Sequence, residues 1–406
     1  MSTALDPTTP EVPEAPDASE RSSALIGLVA WIALFAFLAA QSPWMVVFAV
    51  GLAASILLHE LGHFWTARRS GMKATQFFLG FGPRIWSIHR NGVEYGVRSI
   101  PLGGFVKIIG MSNVDEVDPG DEAFTYRQGS FPRRMWVITA GSVMHLIVAF
   151  AIIVPVYAFV GRFQQTDTVQ LAAIVEDSPA EAAGLLLGDV IESVDGVAMT
   201  SAEQLRSVLA ASTPGTTLTF GVVRNGEPST LSVTLVQHPD FDTTRGYLGI
   251  RPSSEGRVAL GVGEALVRGP QDLVVGVGQA VQGVARVINP INVWGHLTGT
   301  NDDVTSRPGT IIGATQISED VGEFDGWAGV LSLLAAVNVS VGVFNMFPLL
   351  PLDGGHAAIA IYERVRSRRG RRYFADASKL TPVAVVCIAL LAFMFLTGLY
   401  LDTVKG

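Results

Sequence analysis

Ile56-Leu57-Leu58-His59-Glu60-Leu61-Gly62-His63-Phe64-Trp65 decides how the rest of the chain is read. On an α-helix, positions i and i+4 share a face, so His59 and His63 can grip one metal ion. Glu60 falls beside them, placed to take a proton from a metal-bound water. The stretch sits inside an apolar run that begins near Trp44 and ends at Arg68-Arg69. Ionisable groups in a segment of membrane length are costly and mark function. The chain has only seven histidines, so two core histidines that happen to stand at this spacing beside a glutamate explain less than a metal site does.

Composition places that helix in a bilayer. The chain has 406 residues, 49% hydrophobic and 16% charged, with formal net charge −8, and its mean hydropathy is +0.39. This is too apolar for an ordinary soluble enzyme. It describes a multi-span membrane protein with one inserted soluble domain; with the segments below, the expected fold is an α-helical polytopic membrane protein of four to five spans with a membrane-associated β-hairpin region and an inserted extracytoplasmic α+β domain. The one cysteine, Cys387, excludes an internal disulfide and a thiolate metal cluster. The acidic balance and the lack of a long basic stripe exclude nucleic acid as a partner.

Outward from the motif, residues 1–22 are rich in Pro, Ala, Thr and Glu and read as a disordered tail. They carry no basic run before an apolar stretch, so a cleaved signal peptide is not expected. Residues 23–68 form the N-terminal span or spans. Ser42-Pro43 divides them into a hairpin, with one Pro-kinked helix as the alternative. Residues 69–134, with Arg68 just before them, carry ten arginines and lysines, which marks the cytoplasmic side. Within them, Arg84–Arg90 and Val93–Arg98 flank Asn91-Gly92 as a β-hairpin, and Pro101-Leu102-Gly103-Gly104 follows. An edge strand here can pair with an extended substrate; a hairpin with no such role is the alternative. Residues 135–161 are the next span. They contain His145, read as a hydrogen-bonded intramembrane group rather than a ligand.

Residues 162–250 are a soluble insert. Ser178-Pro179-Ala180-Glu181 and Thr200-Ser201-Ala202-Glu203 cap two helices, and two strands meet across Asn225-Gly226. Residues 251–325 form a connector whose Gly263–Ile288 segment suits the membrane surface. Residues 326–362 are apolar but broken at Asn345-Met346-Phe347-Pro348-Leu349-Leu350-Pro351-Leu352-Asp353-Gly354-Gly355-His356. Two prolines and two glycines unwind a span there. Asp353 is costly at that depth unless it binds a cation, and the two histidines lack a third protein ligand; a solvated aspartate in a surface loop is the alternative. Residues 363–380 are a second basic loop, and residues 381–401 a last span.

His63 lies about 7 Å along its helix from Arg68, at about 1.5 Å per residue. Asp353 likewise precedes the second arginine-rich loop. Both sets of candidate ligands therefore fall near the cytoplasmic face.

The combination resembles the site-2 protease family of intramembrane zinc metalloproteases, and within it the bacterial regulator of sigma-E protease type with one PDZ domain. The residues that carry the resemblance are His59-Glu60-x-x-His63, Gly80-Phe81-Gly82-Pro83, Pro101-Leu102-Gly103-Gly104 and Asn345-x-x-Pro348-x-x-Pro351-Leu352-Asp353-Gly354. In the insert, Gly184-Leu185-Leu186-Leu187-Gly188-Asp189-Val190-Ile191 resembles a PDZ domain. The resemblance implies a Zn2+ cofactor with Asp353 as its third ligand. It implies that Asn345 helps to hold the substrate backbone and that the 74–109 region pairs with substrate. One departure stands out: His145 occupies the place where the family often has asparagine in Gly-Pro-x-x-Asn.

The implied function is regulated peptide-bond hydrolysis within transmembrane segments, with Glu60-activated zinc-bound water as nucleophile. Implied partners are transmembrane substrates such as anti-sigma factors or remnant signal peptides, and the lipid bilayer of the cell inner or plasma membrane. A non-catalytic PDZ adaptor is the rival from another class. A metal-ion transporter would need polar residues continuing across the bilayer, and the spans offer few.

Overall fold

The computed structural model describes residues 18–111, 115–224, 226–238, 244–367 and 371–404. Two helices open the chain, α1 (Ala18–Gln41) and α2 (Pro43–Arg69). Ser42 separates them. Its backbone is extended (φ −156°, ψ 139°), its side chain accepts from the Trp44 amide, and Pro43 follows as first helical residue. A cap and a proline together restart a helix, so two helices stand here in place of one Pro-kinked helix. α1 begins at Ala18, so residues 18–22, expected in the tail, are helical; residues 1–17 of that tail lie outside the described residues.

The hairpin after α2 is much longer than its turn signals suggested. β1 (Ala74–Arg90) and β2 (Val93–Ile108) are antiparallel, and each bends once. Gln76–Leu79 is flanked on one side by Glu94–Val97 and on the other by Gly104–Lys107. The two strands thus fold into a four-ribbon sheet, bent at Gly80 and Gly82 and again at Gly103, all with positive φ. The bends were read as strand ends because the glycines interrupt alternation. Gly104–Lys107 is left as an edge of this sheet. Trp31 of α1 donates to the Arg98 carbonyl at 3.1 Å.

α3 (Phe131–Pro155) starts four residues before the expected Met135 and continues as a π-turn over Val156–Val160. Pro132 in its first turn loses no hydrogen bond, since the first amides of a helix have no partner.

The insert is a six-stranded sheet and a two-stranded one, together with two helices. Its elements are β3 (Arg162–Ile174), α4 (Pro179–Ala182), β4 (Val190–Val194), β5 (Val197–Ala198), α5 (Ala202–Ala211), β6 (Thr217–Arg224), β7 (Glu227–Thr234), β8 (Val236–Gln237), β9 (Gly246–Tyr247) and β10 (Ile250–Val258). The larger sheet has the order β10-β3-β4-β6-β7, with β5 on β4, and β8 pairs with β9 in the smaller one. Ser178 and Ser201 cap α4 and α5 as expected, each accepting from an amide three residues on. β6 and β7 pair Arg224 with Glu227 across the expected turn, of which Asn225 lies outside the described residues. Leu171, Leu185, Ile191, Leu205, Phe220 and Leu248 fill the core. β10 moves the end of the insert from 250 to 258. Its sequence, Arg251-Pro252-Ser253-Ser254-Glu255-Gly256, has no apolar alternation to betray a strand.

α6 (Gly261–Val287) and α7 (Pro290–Thr298) lead to α8 (Ile311–Asn345), which kinks at Gly326 (φ 57°, ψ −145°). α8 starts before the expected 326 because Glu319, Asp320, Glu323 and Asp325 lower its local hydropathy without breaking the helix. α9 (Asp353–Arg366) and α10 (Ala377–Thr403) complete the fold. Arg368 and Arg369 of the second basic loop lie outside the described residues.

Among the described residues, five helices, α1, α2, α3, α8 and α10, are long and apolar enough to cross a membrane. The chain divides into two compact units. One comprises Met1–Ile147, Ala280–Gly313 and Asn338–Gly406 and contains the His-Glu-x-x-His helix and Asp353. The other comprises Val148–Gln279 and Ala314–Val337 and contains the insert. Within the second, Arg257 at the end of β10 grips Asp325 just before the α8 kink, and its Nη1 donates to the Gly161 carbonyl at 2.7 Å.

Candidate metal centre

α2 turns His59 and His63 into the protein interior, where they are 7% and 9% exposed. Their spacing of four residues puts both rings on one face. Crossing helix α3 supplies the floor. A Cβ at Gly62 would stand 2.8 Å from the Ala140 carbonyl, and one at Gly141 would run into both imidazoles. Glycine at these two places is what lets the helices close on the site.

Asp353 arrives from the far end of the chain. α8 stops at Asn345, the chain turns through Met346–Leu352, and Asp353 is the first residue of α9. Gly355 makes the return tight; a Cβ there would lie 2.9 Å from the Leu349 carbonyl. His59 Nε2 and His63 Nε2 are 3.1 Å apart. Asp353 Oδ2 is 3.5 Å from the first and 3.2 Å from the second.

This triangle fits a divalent metal on three grounds. Zinc–ligand bonds of about 2.0–2.2 Å in a tetrahedron separate the ligand atoms by about 3.3–3.6 Å, close to the observed edges. His63 Nδ1 lies 2.7 Å from the Val137 carbonyl; a carbonyl only accepts, so the proton is on Nδ1 and the Nε2 lone pair faces the centre. Asp353 Oδ2 is buried with no hydrogen-bond partner, which is costly for a carboxylate without a cation. Two imidazoles and one carboxylate leave a fourth tetrahedral position open, the pattern of catalytic rather than structural zinc.

Glu60 occupies the next position on α2, over the sheet edge. Its Cγ would be 3.0 Å from a Cβ at Gly104, and its carboxylate meets the Val106 amide. The strand edge, the acidic side chain and the three donors therefore adjoin one another. Asn345 is not part of the triangle; it is the last residue of α8.

His145 is fully buried, and its Nδ1 lies 2.8 Å from Asn338 Oδ1. It is the hydrogen-bonded polar group the sequence suggested. Its partner Asn338, and Ser55 which accepts from Asn338, were missed, although an asparagine in the apolar run Val330–Phe344 is itself a signal of an intramembrane hydrogen bond.

The sequence profile of Peptidase family M50 matches residues 47–390. The chain belongs to peptidase family M50, the site-2 proteases. It is a peptidase, hence a hydrolase, and the adaptor reading falls away. The M50 chain is 32% identical over 400 residues to the zinc metalloprotease Rip1 of Mycobacterium tuberculosis, covering 87% of this chain and 95% of that one. It is 30% identical over 326 residues to a putative zinc metalloprotease of Nostoc, covering 78% and 85%. Among solved structures, the PDZ domain of the SdrC-like protein of Listeria monocytogenes matches at 26% identity, covering 21% of this chain and 87% of that one, with a TM-score of 0.20.

Proposed function

We propose that this M50 peptidase is a zinc metalloprotease that cuts transmembrane segments inside the bilayer, with His59, His63 and Asp353 holding zinc and Glu60 as general base. The observation that carries the reading is the triangle of Nε2, Nε2 and Oδ2 atoms with edges of 3.1–3.5 Å, its two histidines on a helix of membrane length. Bound zinc supplies Lewis acidity, which acidifies water and polarises a carbonyl. Glu60 takes a proton from the attacking water at its carboxylate and returns it to the departing amine nitrogen, so its charge is restored at the end of each cycle.

The peptide bond of a substrate helix is engaged in that helix's own hydrogen bonds, so the substrate must be extended before attack. Gly104–Lys107 forms a sheet edge beside Glu60, and an extended chain laid along it is held as an added strand. Asn345 helps to hold that backbone. Its place at the end of α8, where the helix gives way to the loop before Asp353, supports a role at the substrate.

The arginines after α2 and after α9 support, by the positive-inside rule, a cytoplasmic position for those helix ends and an outside position for the PDZ insert. Substrates are single-span proteins already shortened outside the membrane, of the anti-sigma factor or signal-peptide-remnant kind, and the insert screens out those that retain a bulky outer domain. In detergent, Glu60→Gln is expected to keep its zinc while kcat on a transmembrane peptide falls by about 10²–10⁴. Unchanged turnover would remove Glu60 as the base.

A further inference from the structure

A buried polar chain that the cleavage steps above do not use ties three helices together beside the metal centre. Ser55 of α2, His145 of α3 and Asn338 of α8 are 1%, 1% and 0% exposed. Ser55 Oγ donates to the Gly51 carbonyl at 2.9 Å, so its lone pairs are what it offers to a neighbour. Asn338 Nδ2 donates to that oxygen at 3.0 Å. This fixes the amide and turns Oδ1 toward His145 Nδ1, 2.8 Å away. An amide oxygen only accepts, so the network assigns the His145 proton to Nδ1. The ring held in this way stands 4.9 Å from the His59 ring, centroid to centroid. Gly342 lets α8 approach; a Cβ there would lie 3.1 Å from His145 Cβ.

The placement of these residues is informative. Ser55 is one helical turn before His59, His145 one turn after Gly141, and Asn338 lies on the helix that leads to Asp353. In hydrocarbon, helices have no hydrophobic drive toward one register, so interhelical hydrogen bonds and close small-residue contacts must set it. A metal site tolerates displacements of only about 0.5 Å. We propose that the Ser55–Asn338–His145 chain is a positioning device for the metal ligands, in which His145 braces the His59 imidazole and Asn338 registers α8, and through it Asp353, against α2. This rests on the reading of His59, His63 and Asp353 as the metal site.

The test uses the full-length protein in detergent with Co2+ in place of zinc, whose visible absorption reports ligand geometry, together with chelator competition for metal affinity. His145→Leu fills the space but offers no proton to Asn338. It is expected to lower metal affinity about 10- to 100-fold and to change the cobalt spectrum. His145→Asn presents an amide N–H to Asn338 Oδ1, which returns the link to α8 though not the ring beside His59, and is expected to recover most of the lost affinity. Asn338→Leu should match His145→Leu, and the double variant should be no worse than either alone, since one chain is broken only once. If His145→Leu does not fold, Asn338→Leu and Ser55→Ala carry the same comparison. Wild-type affinity and spectrum in the Leu variants overturn the proposal, as does failure of His145→Asn to rescue, while the metal site itself stands. A wild-type protein that binds no metal refutes the underlying site instead.

Discussion

At the scale of single residues, the protein places polar groups where hydrocarbon makes each of them expensive, and three of them have neighbours that explain their place. His63 has the Val137 carbonyl, His145 has Asn338, and Asp353 has two imidazoles and an oxygen that wants a cation. Removing that oxygen should release the metal. Asp353→Ala is expected to drop zinc content from about one per chain toward zero after brief chelation, read by atomic absorption on the purified protein. Full stoichiometry would rule Asp353 out as an essential ligand.

Asp189 in the insert offers a test in water. Burial pushes its carboxyl up, but the Arg224 guanidinium, whose Nε and Nη2 both reach it at 2.8 Å, and the Leu186 amide outweigh burial and hold it below the usual carboxylate range. A carboxyl depressed in the folded state contributes stability that is present above its unfolded pKa of about 3.9 and lost as pH falls below it. The insert should therefore lose stability below about pH 4. Asp189→Asn should cost about 1–3 kcal/mol near neutral pH and flatten that acid dependence, as followed by thermal unfolding across pH. An unchanged acid limb would show that another group sets it.

At the scale of elements, the reach of the strands decides what the site can do. The sheet edge Gly104–Lys107 lies against Glu60 only because residue 104 has no side chain. Gly104→Val should push the strand off α2 and lower kcat/KM on a transmembrane peptide, with zinc content unchanged. Equal loss of metal would mean that the strand supports the ligands and not the substrate.

The elements also show where the sequence could be read and where it could not. The two ligand motifs, the Ser178 and Ser201 caps and the Asn91-Gly92 turn were legible because each depends on residues within one or two turns of each other. The full length of β1 and β2 was not, because Gly80, Gly82 and Gly103 bend strands without ending them. β10 was hidden because its polar residues serve an edge, where burial on both faces is not required. The link from Ser55 to Asn338 spans 283 positions and leaves no local pattern; only the cost of an amide in an apolar helix hinted at it.

At the scale of the molecule, the proposed zinc site draws on α2 near the start of the chain and on α9 near its end. Orientation can be checked simply, because Cys387, the only native cysteine, is buried. With a membrane-impermeant maleimide on intact cells, Ser207→Cys on the exposed face of α5 should label and Arg371→Cys should not. The reverse result would turn the insert inward and contradict the arrangement of the basic loops.

The most direct measurement is mass-spectrometric mapping of the products when the purified protein meets a transmembrane peptide in detergent. The account predicts a cut within the apolar segment, abolished by a zinc chelator and restored by added zinc. No cut by zinc-loaded protein, or a cut indifferent to the chelator, would contradict it.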